Sequence, residues 1–220
     1  MKVISLGLDI GQARDRTVLA GLVPHGRRNP ARTLPRWTLA LSAAARPGTR
    51  YADVATWVCD TITDLSGAGW EAVLTLDRGG IGRAVHERIT DQAPPCDVLA
   101  VHAHGGQKIT GSWEEGFGVP KGGPHGLVTC LHALIEQKAV TVPAALDDSA
   151  ALRDELTAYA FHTSPTGRTQ YRAAGTASDD RVSALQLAAW TGEYVWAHAA
   201  EQRGLTPPRT APRVYSPDQP

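Results

Sequence analysis

The chain has 220 residues, 42% of them hydrophobic and 20% charged, and 22 Lys plus Arg balance 22 Asp plus Glu. That length suits one well-buried core, and the mixture excludes a largely disordered chain. A net charge of zero gives no general argument for a nucleic-acid partner and leaves a local basic patch open.

Val3 to Gly11 begins the chain as a short apolar run that ends in Asp9 and a glycine turn, the pattern of a buried strand. Taken alone, Asp9 reads more readily as a surface turn residue than as a ligand, because strand-then-Asp-x-Gly is a common turn signal. Thr17–Val23 reads as a second strand, Pro24 to Pro35 as a loop, and Arg36–Leu41 as a third strand, together an antiparallel meander. Tyr51 to Leu65 has helical spacing, and Ala72–Leu76 is a central strand with Asp77 directly after it. Gly79-Gly80 opens a helix carrying Ile81, Val85 and Ile89, and Cys96–Val101 is the fifth strand. The segment from His102 to Gly126 is glycine-rich and reads as a loop.

Leu127 to Lys138 is an amphipathic helix, Ala139–Pro143 a short strand and Asp148 to Tyr159 a further helix. Ala158 to Ala174 has the form of a hairpin around Ser164–Arg168. Ser178-Asp179-Asp180-Arg181 opens a last helix whose buried side is expected at Val182, Leu185, Ala189 and Trp190. Alternating strands and helices after a meander predict an α/β fold with a mixed five-stranded sheet, flanked by helices and carrying an added hairpin. One domain over 1–203 with a flexible tail over 204–220 is the expected organisation.

Three separated cysteines, Cys59, Cys96 and Cys130, fit a reducing compartment better than a disulfide framework, and no Cys/His spacing makes a zinc site. Neither a signal peptide nor an 18-residue apolar run is present, so a soluble cytoplasmic protein without membrane association is expected.

Two strand-terminal carboxylates, Asp9 and Asp77, draw attention to one another. If their strands are neighbours with carboxyl ends on one edge, the side chains stand about 4.8 Å apart and can share a divalent ion. A helix starting at Asp179 and Asp180 over that edge supplies more oxygen ligands, and such a cluster repels itself without a cation. Oxygen-only donors favour Mg²⁺ or Mn²⁺. Two such ions serve phosphodiester hydrolysis without a histidine or serine nucleophile.

On these residues the chain resembles the nuclease domain of the phage terminase large subunit, which has the ribonuclease H-like fold. The resemblance runs from Gly7–Gly11 with Asp15-Arg16-Thr17, through Leu76–Gly82, Val119-Pro120-Lys121 and Leu152–Leu156 with Tyr159, to Ser178–Leu185. It implies a two-metal endodeoxyribonuclease, using Mg²⁺ or Mn²⁺, that cleaves concatemeric viral DNA during genome packaging in the host cytoplasm. It also implies Asp9 as the first-strand ligand, Asp77 as the fourth-strand ligand, and Asp180 with Asp179 beside it as the helix ligand. Double-stranded DNA is then the substrate, and a separate packaging ATPase, a small terminase subunit or a portal the partner. The sequence departs from a full large subunit in carrying no Gly-x-x-x-x-Gly-Lys-Ser/Thr loop, so a split subunit, an excised domain or a remnant is expected.

Lys121 is a candidate phosphate contact, and Arg78, Arg168 and Arg172, with Arg14 and Arg16, form a candidate basic rim. Asp15 reads as a hairpin-turn residue and the pair His102 and His104 as a loop feature; Trp113 is a candidate for stacking. Competing readings are a resolvase-like nuclease, a sugar-kinase or actin-like phosphate loop at Asp9-Ile10-Gly11, for which the chain is short, and a non-catalytic docking or DNA-binding module.

Overall fold

A computed structural model of the chain describes residues 2–12, 15–24, 36–112, 115–123, 125–163, 169–173 and 178–195. Most of the predicted loop from Pro24 to Pro35, the hairpin turn 164–168, Arg14, Trp113 and the tail 204–220 lie outside the described residues.

Strands β1 (Lys2–Asp9), β2 (Val18–Pro24) and β3 (Trp37–Ala44) form the expected antiparallel meander. Helix α1 (Tyr51–Gly67) leads to β4 (Trp70–Asp77), which pairs parallel to β1; α2 (Gly82–Asp91) leads to β5 (Asp97–His104), parallel to β4. The remaining elements are β6 (Thr110–Ser112), β7 (Gly116–Pro120), α3 (Leu127–Glu136), β8 (Val140–Thr141), α4 (Ser149–Ala158), a hairpin of β9 (Tyr159–Thr163) and β10 (Thr169–Ala173), and α5 (Asp180–Trp190). The helix α5 continues into one π-helical stretch, Thr191–Val195.

The main sheet has eight strands in the order β6-β7-β5-β4-β1-β2-β3-β8, so the five expected strands are its centre and three short ones extend it. Two of these, β6 and β7, lie inside the segment expected to be a loop. Glycine concealed them: Gly111 and Gly116 take positive φ, and Gly116 lies so close to the Ala100 carbonyl that a Cβ there would be 2.6 Å away. Residues that weaken a strand signal are here the ones that let a short strand dock against β5. His102 and His104, expected in a loop, belong to β5.

Alternation along the strands divides the core. Ile4, Leu6 and Leu8 of β1 and Leu74 and Leu76 of β4 pack with Val54, Val58 and Ile62 of α1 and Val85 and Ile89 of α2. On the opposite face, Val18, Ala20 and Leu22 of β2 meet Val182, Leu185, Ala188 and Ala189 of α5, with Leu131 and Leu134 of α3 and Leu152 of α4. Val73, Leu99, Val101, Phe117 and Val119 complete that face beneath Trp190 and Tyr194, whose rings stack at 4.9 Å. Each fully buried aliphatic side chain contributes on the order of 1.5–3 kcal/mol.

The expected one-sided burial of α5 is too narrow. From Asp180 to Tyr194 only Ser183 escapes full burial. The helix lies directly on β1 because Gly7 has no side chain; a Cβ there would stand 2.1 Å from the Ala184 carbonyl oxygen. This contact brings the head of α5 to the carboxyl end of β1.

Candidate active site

Four adjacent strands, β1, β4, β5 and β7, run parallel, and their carboxyl ends form one edge. In parallel sheets this edge is where ligands bind. Side chains alternate between faces, so Ser5, Gly7 and Asp9 of β1 point toward α5, as do Val73, Thr75 and Asp77 of β4. Thr75 confirms the direction, since the Thr191 hydroxyl at the end of α5 lies 2.6 Å from its Oγ1. Ala103 continues the face of Leu99 and Val101, and Lys121 that of Phe117 and Val119. Leu8 and Leu76 are cross-strand partners, which sets Asp9 and Asp77 side by side one residue further.

Asp9, Asp77, Ala103 and Lys121 line one wall of a pocket of ≈ 200 Å³. The opposite wall is α5, through Asp179, Ser183 and Gln186, one helical face at i, i+4 and i+7, together with Leu187. Leu127 and Val128 at the start of α3 and Tyr159 after α4 close the sides. Asp77 Oδ1 accepts the Gly79 N–H at 2.8 Å, which orients that carboxylate from the turn below it.

Asp9 is held well above the ordinary carboxylate range, first by burial and then by the negative charges of Asp180, Asp179, Asp77 and Asp15. No hydrogen bond reaches its carboxylate among the described residues. The helix N-terminus contributes a compensating partial positive charge within one turn.

The two helix-head aspartates have different surroundings. Asp179 lines the pocket. Asp180 is 9% exposed and its Oδ2 accepts the Arg16 N–H at 2.9 Å and the Ser178 hydroxyl at 2.7 Å, so it ties the β1–β2 connection to α5. Asp180 nevertheless exerts the largest single-charge effect on Asp9, and its second oxygen accepts no hydrogen bond among the described residues.

Among the described residues, Lys121 is the predicted cation that lines the pocket. Arg78 is exposed one residue past Asp77, its backbone N–H donating to the Val101 carbonyl. Arg172 is in β10 with no side-chain position described, and Arg168 lies outside the described residues. Asp15 is exposed in a turn, its N–H donating to the Gln12 carbonyl, and acts on Asp9 only through its charge.

Sequence reasoning missed Ser183 and Gln186, although their spacing from Asp179 is a helical-face signal. It also missed a buried ion network. Arg181 NH1 donates to Glu155 Oε1 at 2.8 Å and NH2 to Asp148 Oδ1 at 3.0 Å. Glu155 and Arg181 are 26 residues apart, and no local pattern pairs them.

The carboxylate-only donor set suits a hard divalent cation. Among the described residues, no three His, Cys, Asp or Glu side chains are close enough together to enclose one. That arrangement is compatible with Mg²⁺, which binds through one or two carboxylates and retains several waters.

No family model and no curated protein matches the chain. Solved structures do. The large terminase nuclease from thermophilic phage G20c with bound cobalt aligns with a TM-score of 0.60 at 22% identity, over 86% of this chain and 80% of that one. The same nuclease with bound magnesium aligns with a TM-score of 0.60 at 21% identity, over 86% and 80%. The large terminase nuclease domain of Thermus phage P74-26 aligns with a TM-score of 0.56 at 20% identity, over 85% and 78%. The chain therefore has the fold of the terminase nuclease domains, a ribonuclease H-like mixed sheet with helices on both faces.

Proposed function

We propose that this chain is a divalent-metal-dependent endonuclease that hydrolyses DNA phosphodiester bonds, and that it serves viral genome packaging as a terminase large-subunit nuclease. The observation that carries this reading is the placement of Asp9 and Asp77 one residue past the last paired positions of two parallel strands, in one pocket with Asp179. Similar nucleases were solved with cobalt or magnesium bound, which supports a divalent cation as the cofactor.

In this reading Asp9 and Asp77 would hold the ions from the sheet side, and Asp179 and Asp180 would face them from the helix side through retained water. Two Mg²⁺ or Mn²⁺ ions, when bound, supply an activated water and neutralise charge on the departing oxygen. Lys121 offers its ammonium to a phosphate oxygen at the pocket wall. Leu127, Val128 and Leu187 narrow the water-accessible volume around the carboxylates, which strengthens every charge interaction there. A bound cation would offset the burial and mutual repulsion that disfavour ionised Asp9 in the bare cluster. Double-stranded DNA is the substrate, delivered by a separate packaging ATPase, a small terminase subunit or a portal.

Nicking of supercoiled plasmid in Mg²⁺ or Mn²⁺ tests the reading. Wild type should convert the plasmid and chelator should stop it. Asp9→Asn and Asp77→Asn should each lower the rate by at least about 100-fold. Equal rates in wild type and variants would refute the assignment.

A further inference from the structure

The head of α5 is bonded to side chains that lie outside the pocket. Asp179 occupies the N-cap position of α5 but makes no side-chain cap hydrogen bond. The first N–H groups of a helix have no intrahelical partner and need an acceptor when buried. Glu155, from α4, supplies it: its Oε2 accepts the Arg181 N–H at 2.8 Å and the Val182 N–H at 3.3 Å. Its other oxygen takes the Arg181 guanidinium, whose second arm reaches Asp148 at the start of α4. Asp148 in turn accepts the Ser42 hydroxyl of β3 at 3.3 Å, so the chain of contacts runs from the sheet to the head of α5.

The Arg181–Glu155 pair is nearly dry, with side chains only 10% and 8% exposed, and the Asp148 side chain is 22% exposed. A buried ion pair stabilises little compared with well-packed apolar groups of the same volume. What it supplies is direction, because a planar guanidinium held by two carboxylates admits few orientations. The residue so fixed is the immediate neighbour of Asp180.

We propose that Glu155 is a positioning residue for the carboxylate site: with Arg181 and Asp148 it fixes the start and rotation of α5, and through them the direction of Asp179 and Asp180. The proposal rests on the metal-dependent nuclease reading. Glu155 does not line the pocket, and among the described residues no other residue of α4 does; Tyr159, which lines it, is the first residue of β9.

The test uses the full chain with Mn²⁺ alone as probe, comparing wild type, Glu155→Gln, Glu155→Ala and Asp9→Asn by calorimetric titration and by amide hydrogen exchange. Expected is a folded Glu155→Gln protein whose exchange is faster at residues 180–183 but unchanged in β1 and β4. Its Mn²⁺ affinity should fall about tenfold, with a larger fall for Glu155→Ala and loss of binding for Asp9→Asn. If Glu155→Gln does not fold, Asp148→Asn carries the test, with an expected smaller fall of about threefold. Unchanged Mn²⁺ affinity in a variant with a loosened α5 head overturns the positioning role. Exchange that is faster throughout the protein does the same, since it marks general destabilisation. A wild type that binds no Mn²⁺ refutes the metal reading itself and the proposal with it.

Discussion

Asp9 and Asp77 stand one residue beyond Leu8 and Leu76, the last paired positions of two parallel neighbouring strands, and both face α5. Parallel pairing puts both carboxylates at the same edge, and period-two alternation puts both on the same face. The cluster is therefore a product of register, and its cost is borne mainly by Asp9.

That cost is measurable. Asp9 is raised well above the usual carboxylate range, so the folded protein disfavours its ionised form, and stability falls as pH rises through the ordinary Asp pKa toward the raised one. Asp9→Asn should therefore melt higher than wild type in the absence of divalent ions at pH 7. Each kcal/mol gained raises Tm by about 2–4 °C in a chain of this size. Added Mg²⁺ or Mn²⁺ should raise the wild-type Tm and leave that of Asp9→Asn unchanged. Differential scanning calorimetry with and without metal reads both effects.

Lys121 is, among the described residues, the predicted cation that lines the pocket, so it should act on the DNA backbone rather than on the ions. Lys121→Ala is expected to weaken duplex binding evenly across sequences and to reduce the slope of log K against log salt by about 1. Fluorescence anisotropy over a salt series checks this. Arg78→Ala, at a residue off the pocket, should leave the slope nearly as it is.

Glu193 provides a pH dependence away from the site. It lies in the π-helical stretch after α5, 5% exposed, with one oxygen accepting the Trp37 indole N–H and the other without a partner among the described residues. Burial pushes its carboxyl from 4.5 up to about 7, against the opposing effect of Trp37. The folded state thus binds a proton that the unfolded chain releases between pH 4.5 and about 7. Stability from this group is present below pH 4.5 and is lost as pH rises to about 7, by on the order of 2–3 kcal/mol. Glu193→Gln should remove that dependence, so urea denaturation at pH 5 and pH 8 should give a larger difference for wild type than for the variant.

Much of this arrangement is legible in the sequence because it is local. Apolar runs that end in Asp9 and Asp77, and the helix opened by Asp179-Asp180, are patterns within a few residues of themselves. The neighbouring of β1 and β4 follows once the meander and the crossover helix are read in order. The rest depends on contacts between distant segments. Gly111 and Gly116 obscure β6 and β7, yet those strands aim Lys121 into the pocket. All-round burial of α5 comes from its position between the sheet, α3 and α4, which its own periodicity does not express. Asp179 and Asp180 are indistinguishable as a sequence pair, and only Arg16 and Ser178 give Asp180 a second task.

The central claim is that Asp9 and Asp77 hold divalent cations at the edge they share. Its most direct test is a crystal soaked in Mn²⁺ and measured for anomalous scattering. Peaks within about 2.0–2.6 Å of carboxylate oxygens of Asp9 and Asp77, with Asp179 or Asp180 on the far side, are the expected result. A fully soaked crystal with manganese elsewhere on the protein and none at these two carboxylates would contradict the account.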